Sequence, residues 1–263
     1  MEHLRPSAVA GTFYPGDPIA LAEAVDQLLA EVEAAPLHQA PKVLIVPHAG
    51  YLYSGPIAAT AYAQLRPYAD RYRRVILVGP AHRVRLHGVA SSGAEAFVTP
   101  LGRVPVEATT LAHADPLAHA KEHSLEVQLP FLQRVLPNVV IVPLVVGSAS
   151  PEEVGRILDE LWGGPETLIV ISSDLSHYLP YANARAQDRD TVRRIERHAQ
   201  DLVGQEACGA VAINGLAWVA ARRHLQYRLL DLRTSGDTSG DRDQVVGYAS
   251  FAAFEEGAVD AIR

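Results

Sequence analysis

The chain has 263 residues, 48% of them hydrophobic and 20% charged, which is the composition of an ordinary soluble globular protein. Its formal net charge of -7 and its lack of a basic stripe argue against nucleic acid as a partner. The one cysteine, Cys208, excludes an internal disulfide. No apolar signal region and no run long enough to span a bilayer is present, which predicts a soluble cytoplasmic protein with no membrane partner.

The amino-terminal part predicts an irregular segment followed by a helix. Residues 1–17 are rich in turn-forming residues. The pair Asp17 and Pro18 is typical of a helix cap and a first helical residue. The segment 19–34 then has apolar residues at helical spacing with acidic residues between them, which predicts an amphipathic helix.

Three apolar runs in the chain each lead to a histidine. The runs are the predicted strands at 42–47, 73–79 and 167–172, and the histidines that follow them are His48, His82 and His177. Uninterrupted apolar runs are typical of central strands in parallel sheets, which bind ligands at the carboxyl ends of their strands. If these strands are neighbours, three imidazoles and the carboxylate of Asp174 converge there. The pattern therefore predicts a metal centre or an acid/base site.

The first of these strands leads through a loop into a helix. The loop covers 48–54 and carries Tyr51 and Tyr53. The helix is predicted over 56–65, with Pro56 in the first turn, where proline is tolerated. This strand, helix and strand order predicts a right-handed parallel crossover.

Residues 110–123 are polar and poorly periodic, which favours a functional loop over a core element. At its end, Glu122-His123 begins a stretch that resembles a metal-binding helix motif. A second histidine four residues on is missing, so a zinc-protease site is excluded. Glu122 and Glu126 are expected to orient neighbouring groups or to cap a helix. The other predicted elements of this region are short strands within 87–92 and at 96–99, a helix over 124–136 interrupted at Pro130, a strand at 139–146 and a helix over 151–162.

The carboxyl-terminal third predicts more helices and strands. They are a long charged helix over 181–203, an Ala-rich helix over 210–223 and strands at 227–233 and 245–254. The composition of 235–241 predicts a mobile loop. Because no linker or internal repeat interrupts the chain, we expect residues 1–263 to form a single α/β domain, with a mostly parallel central sheet flanked by helices.

Asp174 and His177 lie three residues apart, a spacing that turns both side chains the same way on a turn. Asp174 then either orients the imidazole from behind or faces the site together with it. The alternative is that Asp174 caps a short helix through Ser176. A metal-free hydrolase that uses Ser172 or Ser173 with His177 also stays open, although the chain has no nucleophile elbow, phosphate loop or dinucleotide fingerprint.

Cys208 has two interpretations. Most free cysteines are small buried hydrophobes. Cys208 also lies just before a predicted helix that begins at Ala210, and helix amino termini lower the pKa of thiols, so it is a candidate thiolate ligand. Two imidazoles and a thiolate with open positions suit copper, iron or zinc better than magnesium or calcium.

Several blocks of residues stand in one order along essentially the whole chain. They are Arg5–Pro15 (RPSAVAGTFYP), Pro47–Gly55 (PHAGYLYSG), Gly79–His82 (GPAH), Glu122–Leu132 (EHSLEVQLPFL), Ser172–Tyr178 (SSDLSHY) and Cys208-Gly209. Together these blocks resemble the MEMO family, whose prokaryotic members are labelled AmmeMemoRadiSam system protein B.

The resemblance implies a single α/β domain like that of the class III extradiol dioxygenases, the LigB-type non-haem iron enzymes. Those enzymes bind Fe(II) and open catechol-type rings with O₂. The family pattern implies metal ligands at His48, His82 and Cys208, with Asp174 and His177 as catalytic residues in the same pocket. LigB-type enzymes use two histidines and a carboxylate. A thiolate at Cys208 departs from that set and favours redox work or copper binding.

Two hypotheses for the function follow from the residues and the resemblance. The first is a metal-dependent oxidoreductase with a redox metal, Fe(II) before copper or zinc. In it His177 acts as acid/base, oriented by Asp174, and the substrate-binding residues are Tyr51, Tyr53 and His123.

The second hypothesis is a non-catalytic binding or adaptor module that keeps the pocket for metal or peptide partners. Eukaryotic relatives in the family are described as adaptors that bind phosphotyrosine peptides. The prokaryotic label suggests a functional link to a radical-SAM protein and an AMMECR-type protein. The ligand is then a peptide, whereas the first hypothesis requires a small molecule.

Overall fold

A computed structural model describes residues 3–255 of the chain. The α-helices are α1 (Pro18–Ala30), α2 (Tyr51–Ala63), α3 (Pro116–Ala120), α4 (Leu129–Val135), α5 (Pro151–Glu160), α6 (Tyr181–Glu196), α7 (Ala210–Arg223) and α8 (Ser235–Thr238). The strands are β1 (Leu4–Arg5), β2 (Val43–Val46), β3 (Arg74–Pro80), β4 (Val89–Ser91), β5 (Ala96–Thr99), β6 (Gly102–Pro105), β7 (His113–Ala114), β8 (Val140–Val146), β9 (Thr167–Ser172), β10 (Leu225–Thr234) and β11 (Gly247–Glu255). The predicted domain of 1–263 also includes residues 1–2 and 256–263, which lie outside the described residues.

Within residues 3–255, eight strands form the central sheet in the order β10-β11-β2-β9-β3-β8-β4-β7. The strands β2, β9, β3 and β8 run parallel to one another. β11 pairs antiparallel with β2, β10 with β11 and β4 with β8. A separate small sheet has the order β1-β5-β6. The predicted single α/β domain with a mostly parallel sheet is therefore confirmed, and the sheet is mixed.

The central strands are buried on both faces, which explains their uninterrupted apolar sequences. Side chains alternate along β2. Leu44 and Val46 join a core cluster that includes residues of α1, α2 and α4, whereas Val43 and Ile45 join a second cluster with residues of α5, α6 and α7. Helices therefore cover both faces of the sheet. No helix within residues 3–255 combines the length and the apolar character needed to cross a membrane.

The helix after β2 begins earlier than predicted. The prediction of a loop over 48–54 is wrong, because α2 begins at Tyr51 and Pro56 lies inside it. A proline at this position deprives the carbonyl of Leu52 of its helical partner. Leu52 is 71% exposed, so water can satisfy that carbonyl and the helix continues. The consequence for the site is that both Tyr51 and Tyr53 project from a helix.

The prediction of a helix over 124–136 interrupted at Pro130 is wrong. Pro130 lies in the first turn of α4, which follows the 3₁₀ segment Glu126–Gln128. Residues 110–123 are not wholly loop, because they contain β7 and α3. Asp115 caps α3 by accepting hydrogen bonds from two backbone N–H groups.

Two carboxyl-terminal predictions are also corrected. The charged helix α6 ends at Glu196 instead of continuing to 203, and His198 follows with a φ of 57°, a left-handed conformation that is typical just beyond helix ends. The predicted mobile loop at 235–241 begins with α8. Thr234 and Asp237 form a capping box at the start of that helix, a local signal that overrides the turn-rich composition.

Candidate metal centre

The carboxyl ends of three parallel strands meet at one edge of the sheet. β9 lies between β2 and β3, as the order of the strands requires. Ser173, directly after β9, donates its N–H to the carbonyl of Val46 at 2.8 Å, so the segment that follows β9 runs beside His48. His82 lies two residues beyond β3. The predicted convergence of the strand ends is therefore confirmed.

Three imidazoles lie together at this edge. His48, His82 and His123 each offer one ring nitrogen, and these nitrogens lie within 4.8 Å of one another. The ring centroids of His48 and His82 are 5.2 Å apart, those of His48 and His123 are 5.5 Å apart, and those of His82 and His123 are 4.8 Å apart. This group has the composition and spacing of a site that can hold a metal ion.

Burial keeps two of these imidazoles neutral. Burial, assisted by the neighbouring His82, lowers the pKa of His48 to about 3. Burial, assisted by the neighbouring His48, lowers the pKa of His123 to about 4. The neutral imidazole is the form that binds metal ions, so both rings are in the ligating form at neutral pH.

Glu122 orients His82 from behind. Its Oε1 lies 3.0 Å from Nδ1 of His82, and its Oε2 accepts the backbone N–H of His82 at 2.5 Å. Oε1 also accepts the N–H groups of His123 and Ser124, each at 2.9 Å. Burial acts to raise the pKa of Glu122, but the hydrogen bonds from His82 and Ser124 outweigh it and hold the pKa well below its usual range. An ionised carboxylate only accepts, so Nδ1 of His82 donates and Nε2 is left for a metal ion.

Cys208 lies beside the imidazoles. Its Sγ is 3.3 Å from Nε2 of His48 and accepts the backbone N–H of Asp174 at 3.2 Å. Burial, and next the charge of Asp174, raise the pKa of the thiol, so its position before α7 does not produce the lowered pKa that the sequence suggests. A metal ion would displace the proton, because coordination deprotonates a thiol.

Asp174 contacts His48 at the carboxyl end of β2. Its Oδ1 accepts the backbone N–H of His48 at 2.7 Å. Burial raises the pKa of its carboxyl group, and the hydrogen bond from the backbone N–H of His48 acts against that rise. The alternative in which Asp174 caps a short helix is wrong, because residues 173–177 are not helical. His177 is half-buried in that segment, and its ring lies 5.9 Å from the ring of Tyr178.

The two tyrosines of α2 occupy different surroundings. Tyr51 is buried, donates its hydroxyl to the carbonyl of Val127 at 2.8 Å and packs on Phe131 at 5.0 Å between ring centroids. Tyr53 is 41% exposed.

The two serines considered as nucleophiles, Ser172 and Ser173, are both buried, so the hydrolase hypothesis gains no support from the structure.

A cavity of about 400 Å³ is lined by Cys208 and by Ala81, the residue before His82, but by none of the three clustered histidines. Its wall is mostly apolar, with polar groups from Arg85, His87 and Ser148. The cavity is large enough to hold a small organic molecule. Its lining residues are Pro80, Ala81, Val84, Arg85, Leu86, His87, Val146, Gly147, Ser148, Cys208, Gly209, Val211 and Ala212.

The sequence identifies most of this site but not every role. His48 and His82 lie together as the strand pattern predicts, and Asp174 and Cys208 contact His48, but the third imidazole of the group is His123 and not the predicted His177. The sequence assigns His123 to substrate binding, whereas the structure places its ring within the imidazole cluster. The preceding residue, Glu122, could have indicated this role for His123, because a carboxylate near a histidine is typical of the surroundings of a metal ligand.

Comparisons with known proteins show the family of the chain. The Memo-like protein family matches residues 5–252. A MEMO1 family protein of Aquifex aeolicus is 36% identical over 265 residues, covering 93% of this chain and 97% of the relative. A MEMO1 family protein of Sulfolobus acidocaldarius is 32% identical, covering 94% of this chain and 98% of the relative. A MEMO1 family protein of Thermotoga maritima is 34% identical, covering 95% of this chain and 99% of the relative.

Proposed function

The chain belongs to the Memo-like protein family, and from that premise we propose that it is a metal-dependent oxidoreductase acting on a small molecule. The observation that carries the proposal is the convergence of His48, His82 and His123 at one sheet edge, with two of the imidazoles held neutral by burial. We take Fe(II) as the first candidate metal, ahead of copper or zinc, because imidazole and thiolate ligands suit these ions.

The ligands we propose are Nε2 of His48, Nε2 of His82 and Sγ of Cys208, with the ring of His123 as a fourth, since one of its nitrogens lies within 4.8 Å of those of the other two histidines. The separation of 3.3 Å between Sγ of Cys208 and Nε2 of His48 supports this set. Sulfur and nitrogen ligands on one tetrahedral ion lie roughly 3.5 Å apart, given the usual bond lengths. When bound, an iron or copper ion would supply one-electron redox chemistry, whereas zinc would supply none.

The remaining roles belong to residues of the chain itself. His177 is proposed as the acid/base, because it is half-buried and follows the same strand as Asp174, three residues further along the chain. Asp174 fixes the backbone of His48 and places a carboxylate near His177. The cavity beside Cys208 is the proposed substrate site, because it is large enough for a small molecule and its wall is mostly apolar. Likeness to the LigB-type dioxygenases is part of this proposal.

Metal analysis of protein purified without oxygen tests the proposal. We expect a stoichiometric redox metal in the wild type, loss of that metal in His48→Ala and retention in His38→Ala, whose histidine is exposed. A thiolate-to-metal absorption band that disappears in Cys208→Ser would assign the sulfur ligand. Unchanged metal content in His48→Ala would refute the assignment.

A second candidate function, a non-catalytic binding module, is favoured by exposed apolar side chains near the site. Leu52 and Tyr178 are 71% and 69% exposed, and they follow the strands that carry His48 and Asp174. Large exposed apolar groups are typical of surfaces that bind a partner. Oxygen consumption with a panel of catechols separates the two functions, because sustained uptake excludes a purely binding role.

A further inference from the structure

A chain of buried polar groups lies behind His48 and is not used in the proposed reaction. Ser172, Gln128, Tyr62 and Ser124 are each fully buried. Nδ1 of His48 lies 2.8 Å from Oγ of Ser172, on the opposite side of the ring from the Nε2 atom that faces Cys208. We propose that Ser172, held in place by Gln128, is a positioning residue that fixes His48 as its Nδ1–H tautomer, so that the Nε2 lone pair faces the metal centre.

The hydroxyl of Ser172 has three polar neighbours. It contacts the carbonyl oxygen of Ser124 at 2.6 Å, Nε2 of Gln128 at 2.9 Å and Nδ1 of His48 at 2.8 Å. A hydroxyl has one proton to donate and two lone pairs that accept. The carbonyl can only accept and the amide nitrogen can only donate. The hydroxyl proton therefore goes to Ser124, one lone pair accepts from Gln128, and the other lone pair faces Nδ1 of His48, which must be the donor.

The orientation of Gln128 is fixed by its other contacts. Its Nε2 donates a second hydrogen bond to the carbonyl of Pro47 at 2.9 Å, and its Oε1 accepts from the hydroxyl of Tyr62 at 2.9 Å. A flipped amide would place Oε1 against the carbonyl oxygen of Pro47, with no proton between them. Gln128 therefore donates to Ser172.

The opposite tautomer of His48 conflicts with these contacts. For Ser172 to donate to an unprotonated Nδ1, its proton would have to leave Ser124, and two acceptor oxygens would then face each other at 2.6 Å. Buried acceptors without a donor are costly. The arrangement for His48 differs from that for His82, because the carboxylate of Glu122 holds His82 whereas a neutral hydroxyl holds His48 and adds no charge to the centre.

This inference rests on the proposed metal-binding function, but the tautomer of His48 can be tested without the metal. The first measurement is a long-range ¹H–¹⁵N correlation spectrum of the histidine rings, recorded on metal-free wild-type protein with ¹⁵N-labelled histidine. We expect a proton on Nδ1 and none on Nε2 of His48. A proton on Nε2 would overturn the proposal, and this result is available even if no variant folds.

The second measurement compares Ser172→Ala with Ser173→Ala. Both remove a buried hydroxyl from the same segment. Oγ of Ser173 donates to the carbonyl of Asp174, accepts from Gly209 N–H and lies 3.9 Å from Sγ of Cys208, and none of these contacts involves His48, so Ser173→Ala is the control for the tautomer. We expect Ser172→Ala to lose the single Nδ1–H tautomer and Ser173→Ala to keep it. Metal affinity, measured by titration against a competing chelator, should fall about 10- to 100-fold in Ser172→Ala.

Retention of the wild-type tautomer and affinity in Ser172→Ala would contradict the positioning role. Failure of the wild type itself to bind any redox metal would refute the proposed function, whereas the tautomer in the metal-free protein would still decide the role of Ser172.

Discussion

At the scale of single residues, Glu122 fixes the ring of His82 and the backbone of His123. It is 2% exposed, and its two carboxylate oxygens accept hydrogen bonds from the ring and backbone of His82 and from the backbone of His123 and Ser124. An amide has only one acceptor oxygen and would turn an NH₂ group towards some of these donors. The site therefore depends on a carboxylate at position 122.

We predict that Glu122→Gln weakens metal binding by about 10- to 100-fold, because the partner of a ligating histidine is altered. The same change should lower the free energy of unfolding by about 1–3 kcal/mol, because buried N–H groups lose their acceptor. Chelator competition and urea unfolding measure the two effects. Glu152→Gln is the matched control, since Glu152 is exposed and pairs with Arg156 on α5. Equal behaviour of the two variants would contradict the role of Glu122.

His119 gives a prediction for the pH dependence of stability. It is 1% exposed, its Nε2 lies 3.0 Å from the carbonyl oxygen of Ala90, and burial lowers its pKa to about 4. In the unfolded chain the same histidine has a pKa of about 6.5, so between about pH 6.5 and pH 4 the unfolded state binds a proton that the folded state does not bind. The free energy of unfolding therefore falls as the pH drops through this range. His119→Leu should lose this part of the slope in urea unfolding measured across that range. A slope identical to that of the wild type would contradict the assignment.

At the scale of elements, the segment that carries Asp174 and His177 is held by α6 and β11. Oδ1 of Asp188, on α6, accepts the N–H of Ser176 at 3.0 Å, and Gly247 at the start of β11 donates its N–H to the carbonyl of Ser176 at 2.8 Å. A Cβ atom on Gly247 would lie 1.9 Å from Oδ2 of Asp188. A glycine is therefore required at this position by close packing.

We predict that Gly247→Ala lowers the free energy of unfolding by about 1–3 kcal/mol, because the added methyl group must displace the buried carboxylate of Asp188. Gly204→Ala is the control, since a Cβ atom there meets nothing within 4 Å. Denaturant unfolding compares the two variants. An unchanged free energy of unfolding in Gly247→Ala would contradict the role of α6 and β11 in holding this segment.

The elements of the core were predictable because their sequences are dictated by burial. The strands β2, β3 and β9 are enclosed by helices on both faces, and each therefore had to be a continuous apolar run. The helix α7 begins and ends as predicted. The start of α2 was not predictable from Pro56, because its tolerance inside the helix depends on the exposure of the preceding turn.

The site was predictable only as far as the strands fix it. His48 and His82 follow strands, so their meeting follows from the parallel order of the sheet. His123 reaches the same place from a segment without a regular pattern, and only the tertiary structure brings its ring to the cluster. The donor and acceptor roles of Glu122 and Ser172 depend on contacts with residues distant in the chain.

At the scale of the whole molecule, the centre joins distant parts of the chain. His48 and Cys208 are 160 residues apart, yet their side chains lie in contact. The unfolded chain does not hold these groups together, so a metal ion binds the folded state in preference. Binding of the proposed metal would therefore be coupled to global stability.

We predict that the redox metal raises the melting temperature of the wild type and that a chelator removes this gain. At a free metal concentration of about 100 times Kd the stabilisation is about 2.7 kcal/mol. His48→Ala should melt at the same temperature with and without metal. Thermal unfolding of both proteins in metal and in chelator measures the difference, and an equal metal-induced shift in both would place the ion elsewhere.

Anomalous diffraction at the absorption edge of the metal, from crystals of protein purified without oxygen, tests the central claim most directly. We expect one strong peak at bonding distance, roughly 2.0–2.3 Å, from Nε2 of both His48 and His82 and from Sγ of Cys208. A peak bound by other residues, or a metal-replete crystal with no peak at this sheet edge, would contradict it.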